Sequence, residues 1–249
     1  MGLGDAIMAT AQARRAKAEN PGALVLVGDG RSIHWSPVFE GNPNIAKTAE
    51  PGQSVVWVRN HVGSRPYVDY ERSSPERLVY REGFRVERGD LFVSEKAEKW
   101  ADAALGSLTD FVIVEPNTKG TFGGNKAWPM EYWQELAFNL PNAVQLGAIG
   151  APALDGAKRI ATPEFRYAIA ILKRAKRVIT TDGALHHAAA ALGVPATVIW
   201  GGRTDPKILG YDGQAHLAAS DGFCGMNAPC PHCADAMRAI TPEMVLAAA

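Results

Sequence analysis

The stretch TTDGALHHAAAALGVP, residues 180–195, decides how the rest of the chain is read. A β-branched run, RVITT (177–181), leads straight into Asp182 and Gly183. An alanine-rich helix follows, with His186 and His187 in its first turns, and Gly193 with Pro195 closes it. Small residues let such a helix lie close to a sheet. The turn also has a chemical use. A helix that starts directly after a strand presents unpaired N–H groups and a positive dipole end, the arrangement that binds phosphates. Side chains of neighbouring helical residues diverge by about 100°. His186 and His187 are therefore expected to point apart, with one of them toward a crevice above the sheet.

Further strands are expected at 23–29 (ALVLVGD), 54–59 (SVVWVR), 111–116 (FVIVEP), 143–148 (AVQLGA) and 196–202 (ATVIWGG). Continuous apolar runs of this kind fit strands buried on both faces, hence a parallel sheet. Helical patterns fall between them. They cover 5–19, 94–106 behind a Ser94 cap, 130–140 after Pro129, and 162–176 with Thr162 as cap. Strand–helix alternation argues an α/β fold. The βαβ order is clearest beyond residue 110, so a domain boundary is expected near 108, dividing 1–108 from 109–249. Residues 60–90 are polar and carry no assignable element. Residues 117–128, NTKGTFGGNKAW, form a Gly- and Lys-rich loop.

The chain has 249 residues, 47% of them hydrophobic and 21% charged, which is ordinary globular composition. Its 26 Lys and Arg balance 26 Asp and Glu, so no net field steers it to DNA or an anionic membrane. No run approaches the roughly 20 apolar residues of a membrane span. The first 20 residues lack the basic-then-apolar order of a secretory signal. A soluble, cytoplasmic chain is expected, with peripheral membrane contact left open.

Three further segments offer chemistry. In GLGDAIMAT (2–10) Asp5 is either a helix N-cap or a carboxylate at a loop mouth that takes a proton from a hydroxyl. In the loop 117–128 the glycines permit close backbone approach, and Lys119 and Lys126 supply charge for a phosphate. Neither segment is a nucleotide fingerprint of the G-x-G-x-x-G or G-K-[ST] kind. Near the C-terminus, Cys224, Cys230 and Cys233 with His232 have spacing that can hold zinc. Buried thiols in a packed turn are the preferred reading there, and no metal site is assigned.

Taken in order, GLGDAI (2–7), KAWPMEYWQEL (126–136) and DGALHHAAAALGVPATVIWGGRTDP (182–206) resemble glycosyltransferase family 9, the ADP-heptose:lipopolysaccharide heptosyltransferases. The resemblance covers most of 110–249. Between 20 and 109 it is carried only by NPNI (42–45) and LFVSEKAEKWADAAL (91–105). It implies a GT-B architecture of two Rossmann-like lobes with parallel sheets, the N-terminal one reduced. The donor nucleotide sugar would sit on 109–249 and the acceptor on 1–108. By the same resemblance, Asp5 is the general base and Lys126 steadies donor phosphate. Asp182, Gly183, Ala184, Leu185 and His187, with Thr181 at the strand end, wrap the diphosphate. The reaction is metal-independent and needs no cofactor beyond the donor, an ADP-sugar by default.

There are departures. Family members are longer and carry a strand before the first turn. Gly183-Ala184 replaces Ser/Thr-Gly, which drops a hydroxyl contact but keeps backbone donors. Gly202-Arg203-Thr204 replaces Gly-Pro-Thr and adds a cation near the donor. A lipopolysaccharide core sugar is the default acceptor. A modified nucleic-acid base stays open through the basic and aromatic residues of 57–81, although a solvated face is the preferred reading of that stretch. A non-catalytic binding module on the same fold also stays open.

Overall fold

The computed structural model describes residues 1–116, 124–147 and 152–249. The first part of the Gly-rich loop, with Lys119, lies outside the described residues. The chain opens with α1 (Leu3–Glu19), then β1 (Leu24–Val27), which pairs in parallel with β2 (Val55–Val58). A two-residue antiparallel pair follows, β3 (Val68–Asp69) and β4 (Val79–Tyr80), and then α2 (Glu95–Leu105). The second half runs β5 (Val112–Glu115), α3 (Met130–Asn139), β6 (Ala143–Gly147), β7 (Lys158–Ala161), α4 (Phe165–Leu172), β8 (Arg177–Thr181) and α5 (Ala184–Leu192). It ends with β9 (Ala196–Trp200), α6 (Pro206–Leu209), β10 (Ala215–Ala218), α7 (Pro231–Arg238) and α8 (Pro242–Ala247).

Strands β5 to β10 form one parallel sheet in the order β10-β9-β8-β5-β6-β7. The chain winds outward from β5 through β6 to β7, then returns to β8 on the other side of β5. The order therefore reverses between β5 and β8. Ligands of open α/β sheets bind outside the carboxyl ends of strands at such a point. The loop leading to Lys126 leaves β5, and the Asp182 turn leaves β8. The central strands bury nearly every side chain, β9 all five. The edge strands KRIA and AHLA are mostly half-buried or exposed, with Ile160 alone buried, so they lack the buried apolar run that marks a strand in sequence.

One apolar cluster runs through both halves of the chain. Ile7 and Ala9 of α1 and Val25, Val27 and Val58 of the small sheet join Ala97, Ala101 and residues 168–172 in it. Lys173 pairs with Glu98 at 2.8 Å, and Arg174 with Asp102 at 2.7 Å, along the α2–α4 seam. A second cluster on the opposite sheet face holds Trp128, Trp133, Leu136, Ile179, Ile199 and Met237.

The structure corrects three local expectations. Gly2, not Asp5, is the N-cap of α1, and Asp5 lies inside the first turn, where a negative charge suits the dipole. α4 starts at Phe165 behind Glu164, so Thr162 does not cap it. Instead the Thr162 N–H donates to Gly147 O at 3.0 Å and prolongs the β6–β7 pairing. Residues 60–90, expected to carry no assignable element, hold the β3–β4 pair, and Leu78 N–H donates to Gly225 O at 2.9 Å and Val86 N–H to Ile208 O at 3.2 Å, which ties the segment to the second half.

Candidate active site

Two helix N-termini meet beside the carboxyl ends of β5 and β8. α1 brings Gly2 to Asp5, and α5 brings Gly183 to His187. Gly4 is the point of contact: a Cβ there would stand 2.9 Å from His187 Cδ2. The glycine spacing of GLGD is thus a packing requirement, because any side chain at Gly4 would push the two helix ends apart.

On the α1 side, Asp5 is buried. Arg65 grips its carboxylate with Nε (3.1 and 3.2 Å) and Nη2 (2.9 Å), and the Tyr67 hydroxyl donates to Oδ1 at 2.6 Å. Asn60 Nδ2 donates to the Asp5 carbonyl at 3.0 Å. Burial and the neighbouring Asp5 charge keep the Tyr67 phenol protonated far above its ordinary range. These partners lie some 60 residues away; the sequence placed Arg65 and Tyr67 only among the basic and aromatic residues of 57–81 and did not tie them to Asp5.

On the α5 side, Asp182 is buried and ion-paired with Lys126. Burial opposes ionisation of Asp182, yet Lys126 and the two histidines outweigh it and hold the carboxyl at about 2. Burial pulls Lys126 below its ordinary value, and the negative charge of Asp182, with a smaller contribution from Asp5, works against that. The Lys126 side chain keeps 21% of its surface exposed. It is presented by a single 3₁₀ turn, Gly124–Lys126, anchored behind by Trp128, whose Nε1–H donates to Ile240 O at 2.8 Å and whose ring packs edge-on against Trp133. This explains the K-x-W-P spacing: the tryptophan fixes the loop and the lysine faces Asp182.

The remaining expected residues divide. Thr181 is buried at the end of β8, while Gly183, Ala184 and Leu185 are half-buried. The Gly183 N–H is already taken, because it donates to His186 Nδ1 at 3.0 Å. Ala184 and Leu185, in the first helical turn, have no intrahelical carbonyl to meet. His187 is buried, and its Nδ1 lies 2.8 Å from the Tyr211 hydroxyl. The two histidines do not diverge as expected. Their rings lie 3.9 Å apart, and Asp182, His186 and His187 bring one ligand atom each within 4.8 Å. Burial depresses His186 to about 4 and His187 well below its ordinary value. Arg203 is likewise not a free cation for the donor: it donates to Met226 O (2.9 Å), the Tyr80 hydroxyl (2.8 Å) and Asn227 Oδ1 (2.9 Å). In the 57–81 stretch, Tyr67 is buried and the Tyr80 phenol is committed to Arg203 and Thr204, while Arg59, Arg72, Arg77 and Arg81 are exposed.

The chain resembles known proteins in sequence and in fold. The chain is 26% identical over 211 residues to lipopolysaccharide heptosyltransferase 1 of Pseudomonas aeruginosa. Its fold matches a glycosyl transferase family 9 structure from Veillonella parvula with a TM-score of 0.72, at 15% identity, covering all of this chain and 93% of that one. It also matches E. coli ADP-heptose lps heptosyltransferase II with a TM-score of 0.62, at 14% identity, covering 99% and 94%. The chain is heptosyltransferase-like. Its fold is the GT-B-like α/β fold of these proteins, with a six-stranded parallel sheet. The match to the Pseudomonas heptosyltransferase takes in 71% of this chain and 58% of that protein, less than two thirds of its length. No protein-family model matches the chain. No helix among the described residues is long and apolar enough to cross a membrane.

Proposed function

We propose that this heptosyltransferase-like chain is a glycosyltransferase. It moves a sugar from a nucleoside-diphosphate donor, ADP-heptose in the first instance, to a hydroxyl of a carbohydrate such as a lipopolysaccharide core sugar. The cytoplasm, where nucleotide sugars are made, is the setting this donor implies. The donor rests on residues 109–249 and the acceptor on residues 1–108.

The observation that carries this reading is the meeting of the two helix ends at Gly4 and His187, with the Asp5 carboxylate on one side and the Lys126 ammonium on the other. The acceptor oxygen attacks the anomeric carbon and the bond from that carbon to the diphosphate oxygen breaks. The acceptor proton passes to Asp5. The bonding pair leaves on the diphosphate, where Lys126 and the amides of Ala184 and Leu185 meet the developing charge. An ammonium has three donors, so Lys126 can keep Asp182 while taking a phosphate oxygen. Asp5 is oriented by Arg65 and Tyr67, and the acceptor hydroxyl must displace or share one of these bonds. We assign the leaving group's charge to Lys126 rather than to a metal. Asp182 already holds an ammonium, His186 spends both nitrogens on Gly183 and Leu209, and His187 spends Nδ1 on Tyr211.

The test is release of ADP from ADP-heptose by the full chain with candidate acceptors. Acceptor-dependent release that Asp5→Asn abolishes supports transfer. Donor binding with no turnover on any acceptor leaves a binding module instead.

A further inference from the structure

Away from the crevice, the turn leading into α7 gathers Cys224, Cys230, His232 and Cys233, with one ligand atom from each inside 4.8 Å of the others. Cys224 Sγ is 3.8 Å from Cys230 Sγ and 3.3 Å from Cys233 Sγ. A tetrahedral zinc with bonds of about 2.3 Å holds its sulfurs about 3.8 Å apart. The thiols are unpaired, and three thiols leave one over in any disulfide arrangement. Only Cys233 is buried, so the packed-thiol reading of this turn fails for Cys224 and Cys230. His232 is also held. Its Nε2 lies 3.1 Å from Ser220 Oγ, and its ring lies against Gly202, where a Cβ would stand 2.3 Å from Cε1. An outer polar partner that orients the imidazole is the usual companion of a ligating histidine.

We propose that Cys224, Cys230, His232 and Cys233 form a Cys3His site for one zinc ion, which braces the 224–230 loop against the base of the crevice. Binding replaces three thiol protons with three zinc–sulfur bonds and releases those protons to solvent. The braced loop bears on the two elements beside the Lys126–Asp182 pair. Asn125, next to Lys126, donates to Met226 O (2.9 Å) and Ala228 O (2.6 Å) and accepts the Cys230 N–H (2.9 Å). Arg203 donates to Met226 O and Asn227 Oδ1. The Cys224 N–H donates to Gly202 O at 2.8 Å. Zinc is the choice because mixed thiolate and imidazole corners in tetrahedral array suit it, and a site closed by four protein ligands is structural. The link to donor affinity rests on the proposed donor site; the metal site itself does not.

Elemental analysis of the full chain, purified under reducing conditions without added metal, tests this. One zinc per chain is expected, with at least a tenfold loss of zinc in Cys224→Ser and in His232→Ala. Should those variants not fold, the wild-type chain carries the test. Chelation is expected to lower its melting temperature and zinc alone to restore it, and cobalt substitution to give the visible bands of a tetrahedral thiolate complex. A chain that holds no metal as isolated, takes up no zinc and melts unchanged with chelator overturns the site. Iron in place of zinc overturns the choice of ion. Stripping zinc is expected to weaken ADP binding several-fold in chain that stays folded. ADP binding that is unchanged on stripping overturns the brace while the metal count stands. A zinc-loaded chain that never binds ADP counts against the donor reading alone.

Discussion

The two turns that face each other across Gly4 are built from the same parts and hold opposite charges ready. Each is a glycine-led helix start with a buried aspartate paired to a cation. At the first, a planar Arg65 fork and the Tyr67 hydroxyl hold the Asp5 carboxylate in one orientation. At the second, the Asp182 carboxylate holds a lysine whose side chain remains partly exposed. A guanidinium fork fixes a carboxylate geometrically, whereas an ammonium is a rotatable point charge with donors to spare. The choice of Arg at one turn and Lys at the other decides which partner is the fixed frame and which is the working group.

Breaking the first turn has the largest expected effect. Asp5→Asn keeps the shape and removes the proton acceptor, so the transfer rate should fall about 10²- to 10⁴-fold, with ADP binding retained. Equal loss of binding in a calorimetric titration would contradict the division of labour.

The second turn is broken by Lys126→Met, which strands the buried Asp182 and should cost about 3–5 kcal/mol of stability. The double variant Lys126→Met/Asp182→Asn should recover most of that in a urea melt without recovering ADP affinity. Recovery of both would reduce Lys126 to a structural role.

Pushing the turns apart is the next test. Gly4→Ala places a methyl against His187 and should cost about 1–3 kcal/mol. A neutral result would mean the helix ends do not meet as described.

Acid should weaken the second turn. His186 binds a proton at about 4 in the fold and at 6.5 when free. The unfolded chain therefore takes up more protons between those values, and stability falls as pH drops through that window. From pH 7 to pH 5 the loss from His186 is on the order of 2 kcal/mol. His187, also depressed, adds to it, and Asp182, held at about 2 against 3.8, adds a further loss only below about pH 4. Melting temperatures over that range check the sign. The smallest effect is expected from Tyr211→Phe, which removes the hydroxyl beside His187 for about 1 kcal/mol.

The two turns also differ in how far sequence revealed them. The second was legible because its strand is β-branched and buried and its helix is bounded by Gly183 and Gly193, signals that lie within 20 residues. The first was legible only as a glycine pair and an acid. Its Arg65 and Tyr67 come from a polar segment with no periodic pattern, brought in by long-range packing that one-dimensional spacing does not encode. Edge strands β7 and β10 escaped for a related reason: a strand exposed on one side need not be apolar. The histidine pair was misread because helical divergence describes Cα–Cβ directions, whereas side-chain torsions here bring both rings together over Asp182. The amide count at the second turn was also overstated, since His186 consumes the Gly183 N–H.

That last detail allows the most direct measurement. In a ¹⁵N-labelled chain titrated with ADP, the amides of Ala184 and Leu185 should show the largest shifts, and Gly183, bonded to His186, smaller ones. Shifts concentrated elsewhere in the fold, or none at all at saturating ADP, would contradict the diphosphate cradle at this turn.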